Sequence, residues 1–205
     1  MRISDIYLVP LFLSVILSLR SFGQKWAVQY RLFSILLISN LLVEVIARFM
    51  TRNFLLYNIY LIPQYLLYMS VFYFELRSTL LKRIILYMGF IFGALGIINL
   101  SYFQGLHSFT SYTYVLAITI MIALSILYFY QIVEQKEMVR LSTEPMFWIS
   151  TAILISHSGN LPLFLVFNHI APSLLEKLIY ILLVMNFIMY SLYAIAFLCR
   201  IRQGK

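Results

Sequence analysis

Charged residues are scarce in this sequence. Only 11% of its 205 residues are Asp, Glu, Lys or Arg, whereas 63% are hydrophobic and the mean hydropathy is +0.93. So few polar side chains cannot cover a water-soluble globule of this size. The shortage of charge therefore excludes a soluble domain and predicts a protein embedded in a lipid bilayer.

Cysteine and the common catalytic signatures are also missing. The single cysteine, Cys199, excludes a disulfide framework. The sequence has no His or Cys pair at metal-ligand spacing, no His-Glu-x-x-His, no Gly-x-Ser-x-Gly, no phosphate-binding Walker loop and no dinucleotide-binding glycine pattern. An intramembrane protease or lipid transferase needs a nucleophile with a base, or a metal held by carboxylates. We therefore expect a protein that is not an enzyme and has no metal or cofactor.

The sequence does contain long apolar runs. Segments of about 17 to 25 residues suit a helix that crosses a bilayer. No small-residue cleavage site follows the first run, which ends at Arg20, so we expect it to remain as a permanent first span. The prediction is an all-α integral membrane protein, one domain over residues 1–205, with seven transmembrane helices at about 4–20, 30–50, 54–76, 83–102, 110–133, 146–169 and 178–199.

The Lys and Arg residues predict how this bundle is oriented. Seven spans place eleven of them on one side of the membrane and only Arg2, Arg48, Arg52 and Lys177 on the other. Cytoplasmic loops carry the excess of basic residues, so we expect the N-terminus outside and the C-terminus in the cytoplasm. Orientation thus explains the net charge of +8 without direct nucleic-acid binding. A cytoplasmic protein partner would contact the basic loop residues, Arg77, Lys82, Arg83, Lys136 and Arg140.

Polar residues inside the apolar runs are the candidate functional residues. A rise of about 1.5 Å per residue places several of them near the middle of four different spans. Polar groups at that depth cost free energy when they face lipid, so we expect them to point inward. They would form a pocket for a small polar ligand or ion, with contacts from Asn40, Glu44, Gln64, His157, Ser158, Asn160 and Asn186.

Two of these spans also contain helix breakers. Pro162 cannot donate a hydrogen bond to the Ser158 carbonyl, and Gly159 lowers the cost of bending at the same turn. Pro63 lies within a polar and aromatic stripe of Tyr60, Gln64 and Tyr68. A helix broken at mid-depth is how many carriers form a binding site. The alternative is a kinked but continuous helix, whose polar residues only hold helices together.

Other polar and small residues leave two interpretations open. Asn40, Glu44 and Arg48 follow one another at intervals of four, so Glu44 either pairs with Arg48 or forms an ionisable cavity wall. Glycines in the fourth span allow a close helix approach, either within the bundle or in a homo-oligomer; they are Gly89, Gly93 and Gly96. The stretches LLISN (36–40) and ILISH (153–157) are similar, which is explained either by a parallel internal repeat or by chance in a chain so rich in Leu and Ile.

Three stretches carry a resemblance to a known family. LYNIYLIPQYLLYMSVFYFE (56–75), EPMFWISTAILISHSGNLPLF (144–164) and YSLYAIAFLCRIR (190–202) resemble an uncharacterised family of bacterial (Bacteroidota-type) seven-transmembrane-helix proteins. This resemblance covers nearly the whole chain and implies a bacterial inner membrane. The pair Pro63–Gln64, with seven spans in the same orientation, is similar to SWEET and PQ-loop transporters, which implies a three-plus-one-plus-three arrangement and transport.

The sequence thus favours a carrier or ligand-sensing receptor with its site near the bilayer midplane. The alternative is an accessory or effector membrane protein, pore-forming or regulatory. In size and basic loops the chain is similar to small membrane proteins encoded beside bacterial antiphage and RNA-guided RNA-nuclease systems. That resemblance implies action on a protein partner through the basic cytoplasmic loops.

Overall fold

The computed structural model describes residues 6–23, 26–50, 53–106, 108–134, 141–169 and 172–203. Every regular element in these ranges is helical. The α-helices are α1 (Leu8–Ser18), α2 (Arg20–Gly23), α3 (Val28–Ala47), α4 (Phe54–Glu75), α5 (Thr79–Ile98), α6 (Ser111–Glu134), α7 (Pro145–Val166) and α8 (Pro172–Gln203). A π-helical turn, Asn99–Phe103, extends α5, and 3-10 turns at Leu141–Thr143 and Phe167–His169 flank α7.

Six of these helical segments are long and apolar enough to cross a membrane. They are Val28–Ala47, Phe54–Glu75, Thr79–Phe103, Ser111–Glu134, Pro145–Val166 and Leu178–Arg202. The prediction of an all-α, multi-pass membrane protein is confirmed at this level. At the predicted first span, 4–20, the described residues form an apolar helix over Leu8–Gly23, and residues 4 and 5 of that prediction lie outside the described residues. The 16 residues of this helix extend about 24 Å, less than the roughly 30 Å of a hydrocarbon core.

The start of α7 follows from its local sequence. Glu144 has an extended backbone and Pro145 occupies the first turn, where its missing N–H leaves no partner unsatisfied. The Trp148 indole N–H donates to the Ser142 carbonyl at 3.0 Å and holds the preceding 3-10 turn against the helix. Pro145 thus marks the start of α7.

Hydrogen bonds at one end of the bundle join the start of α1, the end of α3, the start of α4 and the α5–α6 connection. The Tyr7 hydroxyl donates to Glu44 Oε2 at 2.6 Å. Asn58 Nδ2 donates to the Ser108 carbonyl at 2.7 Å and to the Leu106 carbonyl at 3.2 Å. We call this the N-terminal end of the bundle.

The opposite end, here called the C-terminal end, joins the start of α3, the α4–α5 and α6–α7 connections and the end of α8. Gln29 Nε2 donates to Glu75 Oε2 at 3.0 Å. The Arg77 backbone N–H donates to Gln131 Oε1 at 2.7 Å. These contacts show that successive long helices run in alternating directions through the bundle.

The helices form a ring with one helix outside it. α1 packs against α3 and α8, and the ring continues from α3 through α4, α6 and α7 back to α8. α5 packs on α4 and α6 and is the least buried of the six candidate spans, at 28%. The interior is therefore lined by α3, α4, α6, α7 and α8.

Aromatic side chains fill the interior toward the C-terminal end. The Phe33 and Tyr193 rings meet edge to face with their centroids 4.8 Å apart, and Trp26 stacks on Phe197 at 6.1 Å. The six rings of this cluster are buried in close contact, which aromatic pairs stabilise beyond their area. We call the cluster the aromatic floor; it consists of Trp26, Phe33, Tyr68, Phe72, Tyr193 and Phe197.

Candidate ligand-binding cavity

On the N-terminal side of the aromatic floor, the helices surround a cavity of about 310 Å³. Its lining extends from Tyr68 and His157, near the middle of α4 and α7, to Asn53 and Phe167 beside the N-terminal end. Small-molecule sites occupy roughly 300–1,000 Å³, so this cavity suits a small ligand. Because the aromatic floor closes the other side, the cavity approaches the surface at the N-terminal end.

Most of the polar residues singled out by the sequence line this one cavity. Ser158 is exposed on another side of α7 and is not part of the lining. Helix geometry explains the difference, since neighbouring residues differ by about 100° in direction whereas residues three apart share a face. The predicted residues that the structure brings together are Asn40, Glu44, Gln64, His157, Asn160 and Asn186.

Asn40 lies at the centre of a hydrogen-bond network. Its Oδ1 accepts from the Tyr60 hydroxyl at 2.6 Å and from Gln64 Nε2 at 3.0 Å. The Tyr60 hydroxyl also lies 2.6 Å from Ser39 Oγ. Asn40 is only 3% exposed, yet its Nδ2 has no hydrogen-bond partner among the described residues. The network thus orients an unused N–H donor.

Asn160 provides the complementary group. It is 6% exposed, and its Oδ1 has no hydrogen-bond partner in the described part of the chain. A buried polar atom without a partner costs about 1–3 kcal/mol, so such atoms are rare unless water or a ligand satisfies them. The cavity therefore offers one unused acceptor in addition to the unused donor of Asn40.

His157 is held in one tautomer by its neighbours. The Ser156 hydroxyl donates to the Ala152 carbonyl at 2.7 Å, so its oxygen is the acceptor for His157 Nδ1 at 3.1 Å. The ring proton then lies on Nδ1, and Nε2 accepts from the Tyr65 hydroxyl at 3.4 Å. The imidazole is neutral in this arrangement and does not bond to Asn40 or Gln64.

Glu44 lies in the part of the cavity toward the N-terminal end. Its Oε2 accepts from the Tyr7 hydroxyl at 2.6 Å and from the Tyr57 hydroxyl at 3.4 Å, and Arg48 Nη1 lies 3.5 Å away. Glu44 therefore both pairs with Arg48 and lines the cavity. Tyr7 could not be recognised from the sequence, because a contact across 37 residues depends on how α1 packs beside α3.

The prolines do not break their helices. α4 continues from Phe54 to Glu75 through Pro63, and α7 continues from Pro145 to Val166 through Pro162. The predicted helix break at mid-depth is therefore not seen, since a proline removes one hydrogen bond and the flanking turns keep theirs. Both helices present side chains to the cavity instead of unwound backbone.

Gly159 serves packing between α7 and α8. A Cβ at this position would lie 2.8 Å from Met185 Cε and 2.9 Å from Met185 Sδ. The absence of a side chain thus lets Met185 pack directly against the α7 backbone. Its predicted role in bending the helix is replaced by a role in bringing α8 close to the cavity wall.

The three glycines of α5 differ in their surroundings. A Cβ at Gly89 would contact Leu66 at 3.5 Å, and one at Gly96 would approach Ile62 at 3.0 Å. A Cβ at Gly93 would meet no described atom within 4 Å. Gly96 therefore allows α4 to pack closely within the bundle, whereas a Cβ at Gly89 would make only ordinary contacts, and the homo-oligomer through these glycines remains a prediction.

Three of the five basic residues predicted to contact a protein partner lie in the α4–α5 connection or at the start of α5. Arg77 and Arg83 are exposed, and Lys82 Nζ lies 5.7 Å from the centre of the Tyr73 ring. Lys136 and Arg140 lie outside the described residues. The partner contact remains a prediction.

Aromatic residues form most of the cavity wall, and the sequence pattern did not reveal this. Among the 22 described residues that line the cavity, ten are Phe or Tyr, against 17% in the whole chain. Phe109 and Tyr114 stack at 4.8 Å, and Tyr114 lies 5.1 Å from Phe164. In the sequence, aromatic residues near the ends of spans are typical of the membrane interface, so only Tyr60 and Tyr68 stood out.

No family model, curated protein or solved structure matches the chain significantly. Within the described residues, no group of three or more His, Cys, Asp or Glu could hold a metal ion. The functional interpretation therefore depends on the cavity and its side chains.

Proposed function

We propose that this protein binds a small polar molecule in the cavity, as a carrier or a ligand-sensing receptor. The observation that carries the proposal is that two residues of the cavity lining, Asn40 and Asn160, each have a buried amide atom, Nδ2 and Oδ1, without a partner among the described residues. A ligand with one acceptor and one donor would satisfy both atoms. Gln64 and Asn186 add further polar contacts. The arrangement is typical of a mostly apolar pocket with a few polar groups that orient the ligand.

In this proposal the ligand enters from the N-terminal end. The aromatic floor supports this direction, because its buried rings fill the interior between the cavity and the C-terminal end. A receptor would bind without opening the floor. A carrier would have to separate Tyr68 and Tyr193, whose hydroxyls lie 3.1 Å apart.

We further propose seven spans in a bacterial inner membrane, with the N-terminal end outside. Tyr7 lies beside Glu44, and Ser21 Oγ lies 2.8 Å from Ser34 Oγ, so Leu8–Gly23 follows α3 for much of its length. Its outer face is apolar: Val9 and Phe12 are 58% and 57% exposed. The excess of basic residues near the C-terminal end supports a cytoplasmic location for that end.

Cysteine labelling tests the seventh span. In a Cys199→Ser background, single cysteines replace Ile6 and Phe22, which are 46% and 49% exposed at opposite ends of Leu8–Gly23. A membrane-impermeant maleimide should label position 6 on intact cells and position 22 only after permeabilisation. Labelling of both positions from the same side would contradict a membrane-crossing first helix.

Ligand-dependent stabilisation tests the binding role. A molecule that binds the native state raises the apparent stability, so a panel of small polar solutes is added to the detergent-purified protein and its thermal unfolding is followed. We expect at least one solute to raise the melting temperature of the unchanged protein. Asn160→Leu and Gln64→Leu should abolish that rise.

The matched control is Ser125→Ala. Ser125 Oγ is also buried without a described partner, but it does not line the cavity. This variant should keep the full ligand response. A response that survives both cavity substitutions would contradict the proposed site.

A further inference from the structure

This inference rests on the binding role proposed above. The charged side chains around the cavity restrict the charge that its ligand can carry. Glu44 is the only Asp, Glu, Lys or Arg among the described residues that line it. The two ring nitrogens of His157 are engaged by Ser156 and Tyr65. The described lining therefore contains one acidic group and no basic group to balance an anion. Such a site attracts a cation and repels a negatively charged ligand.

The geometry of Glu44 leaves part of its carboxylate for a ligand. All its side-chain hydrogen bonds with the described residues reach Oε2, from Tyr7, Tyr57 and Arg48. Oε1 accepts none of them. The Glu44 side chain is 17% exposed, whereas that of Arg48 is 34% exposed and Arg48 is not part of the lining. Solvent or headgroups therefore screen Arg48 more strongly than they screen the carboxylate.

The aromatic wall provides a second attraction for a cation. Tyr57 connects the two features, because it lines the cavity and its hydroxyl donates to Glu44. Farther in, the wall continues with Tyr60, Tyr65 and Tyr114. The face of an aromatic ring attracts a cation by about 0.5–2 kcal/mol and offers no comparable gain to a neutral group.

The unused amide atoms define the rest of the ligand. Asn160 Oδ1 can accept from the ligand, and Asn40 Nδ2 can donate to it. Asn40 and Glu44 are four residues apart on α3, which places their side chains one helical turn, about 6 Å, from each other. A ligand that contacts both must therefore carry its positive charge and a hydrogen-bond acceptor close together.

We infer that the cavity binds a small organic ammonium ion with a hydroxyl group near its nitrogen. The ammonium group contacts Glu44 Oε1 and the Tyr57 ring. The hydroxyl oxygen accepts from Asn40 Nδ2, and its proton is donated to Asn160 Oδ1. This arrangement uses the acidic group, the aromatic wall and both unused amide atoms.

The sharpest test compares two probes of the same shape. Choline carries a quaternary ammonium group and a hydroxyl, and 3,3-dimethylbutan-1-ol replaces its charged nitrogen by carbon. Both are titrated into the full-length protein in detergent, with binding followed by calorimetry and by thermal stabilisation. Choline should bind at least about tenfold more tightly than the neutral alcohol, a factor that one favourable charge interaction of about 1.4 kcal/mol provides.

Two isosteric Glu→Gln changes and one charge removal at Arg48 locate the charge effect. Glu44→Gln retains a hydrogen-bond acceptor for Tyr7 and Tyr57, and it should weaken choline binding about tenfold or more without changing the affinity for the neutral alcohol. Arg48→Gln removes the nearby positive charge and should tighten choline binding. Glu75→Gln is the matched control, because Glu75 lies at the C-terminal end and is not part of the lining. It should leave choline binding unchanged.

The outcomes separate this inference from the proposed function. Equal binding of the two probes, no binding of choline up to millimolar concentration, or an unchanged choline affinity in Glu44→Gln would overturn the ammonium inference. If choline gives one of these results while a neutral solute binds and Asn160→Leu abolishes its binding, the proposed function holds and the ammonium inference alone fails. If no solute response depends on Asn160, the proposed function fails as well. The two-probe comparison on the unchanged protein does not require Glu44→Gln to fold.

Discussion

The two halves of the bundle differ in how closely their buried side chains pack. Toward the C-terminal end, aromatic rings meet each other directly, and Phe33, Phe72 and Tyr193 are fully buried. Toward the N-terminal end, aromatic rings surround an empty volume of about 310 Å³ together with amides and a carboxylate. Helices in lipid associate largely through van der Waals packing. The comparison therefore indicates that the C-terminal half contributes most of the packing stability, and the N-terminal half retains the space for a ligand.

A buried serine in the C-terminal half also contrasts with a buried asparagine of the cavity lining. In the C-terminal half, Ser34 Oγ bonds to the Tyr30 carbonyl at 2.8 Å, the Ser18 carbonyl at 3.1 Å and Ser21 Oγ at 2.8 Å. The Tyr30 contact lies within α3, whereas the contacts with Ser18 and Ser21 join α3 to Leu8–Gly23, and such interhelical bonds contribute about 0.6 kcal/mol each on average. In the cavity, Asn160 is equally buried but its Oδ1 remains unused. A buried amide that the protein does not satisfy itself is one that a ligand can satisfy.

The largest expected effect is a loss of packing in the aromatic floor. Phe33→Ala should lower the free energy of unfolding by about 3 kcal/mol, the lower end for such changes, because the unfolded helices remain in lipid. Phe164→Ala removes the same ring from the cavity wall, where a space already exists, and should lose about half as much. Equilibrium unfolding in a mixed detergent series measures both values. Equal losses would contradict the division into a packed half and an open half.

Two buried asparagines sharpen the comparison within the N-terminal half. Asn58 Nδ2 donates to the Leu106 and Ser108 carbonyls, and its Oδ1 accepts from Thr110 Oγ1 at 2.9 Å. Asn58→Leu leaves these partners unsatisfied and should cost about 2 kcal/mol of stability. Asn160→Leu removes an amide whose acceptor has no described partner.

The Asn160→Leu variant should be as stable as the unchanged protein or more stable, because it replaces an unsatisfied polar group by an apolar one. The same unfolding measurement compares it with Asn58→Leu. A large loss of stability in Asn160→Leu would show that this amide supports the fold and would remove the main reason to assign it to a ligand.

Much of the fold could be predicted because hydrophobic length is a local property. The predicted span 146–169 corresponds to α7 at Pro145–Val166, where a proline marks the start and the apolar run fixes the length. The first span was less predictable. Its apolar run is interrupted at the end by Arg20, and Leu8–Gly23 reaches only part of the bilayer thickness and depends on packing against α3 and α8.

The site could be predicted only in part. The sequence indicates how deep a residue lies in the membrane, but it does not indicate the direction in which the side chain points. Asn40, Gln64, His157 and Asn186 were placed at one depth, and the structure places them around one cavity. Since α7 is apolar on all sides, the sequence does not tell which of His157 and Ser158 faces inward. The contact of Tyr7 with Glu44 and the aromatic wall depend on long-range packing, which no local pattern encodes.

The smallest expected changes in stability concern two glycines. Gly159 lies on α7, at the cavity wall, and Gly93 lies on α5, outside the ring. At Gly159 a new Cβ would meet Met185, whose flexible thioether end can shift, so Gly159→Ala should cost about 1 kcal/mol or less. At Gly93 no described atom lies within 4 Å, and alanine is the better helix former, so Gly93→Ala should gain up to about 0.8 kcal/mol. Thermal unfolding of both variants in detergent measures these shifts.

The ligand response separates the two glycine variants further. Because Met185 borders the contact between α7 and α8, its displacement in Gly159→Ala should also move the cavity wall and weaken the response to a bound solute. Gly93→Ala changes only the outer helix and should leave that response intact. A Gly93→Ala variant that loses stability would instead mean that another helix contacts this position, since only a missing neighbour makes the added methyl group free of steric cost. A second copy of the chain packed on α5 is the arrangement that such a loss would support.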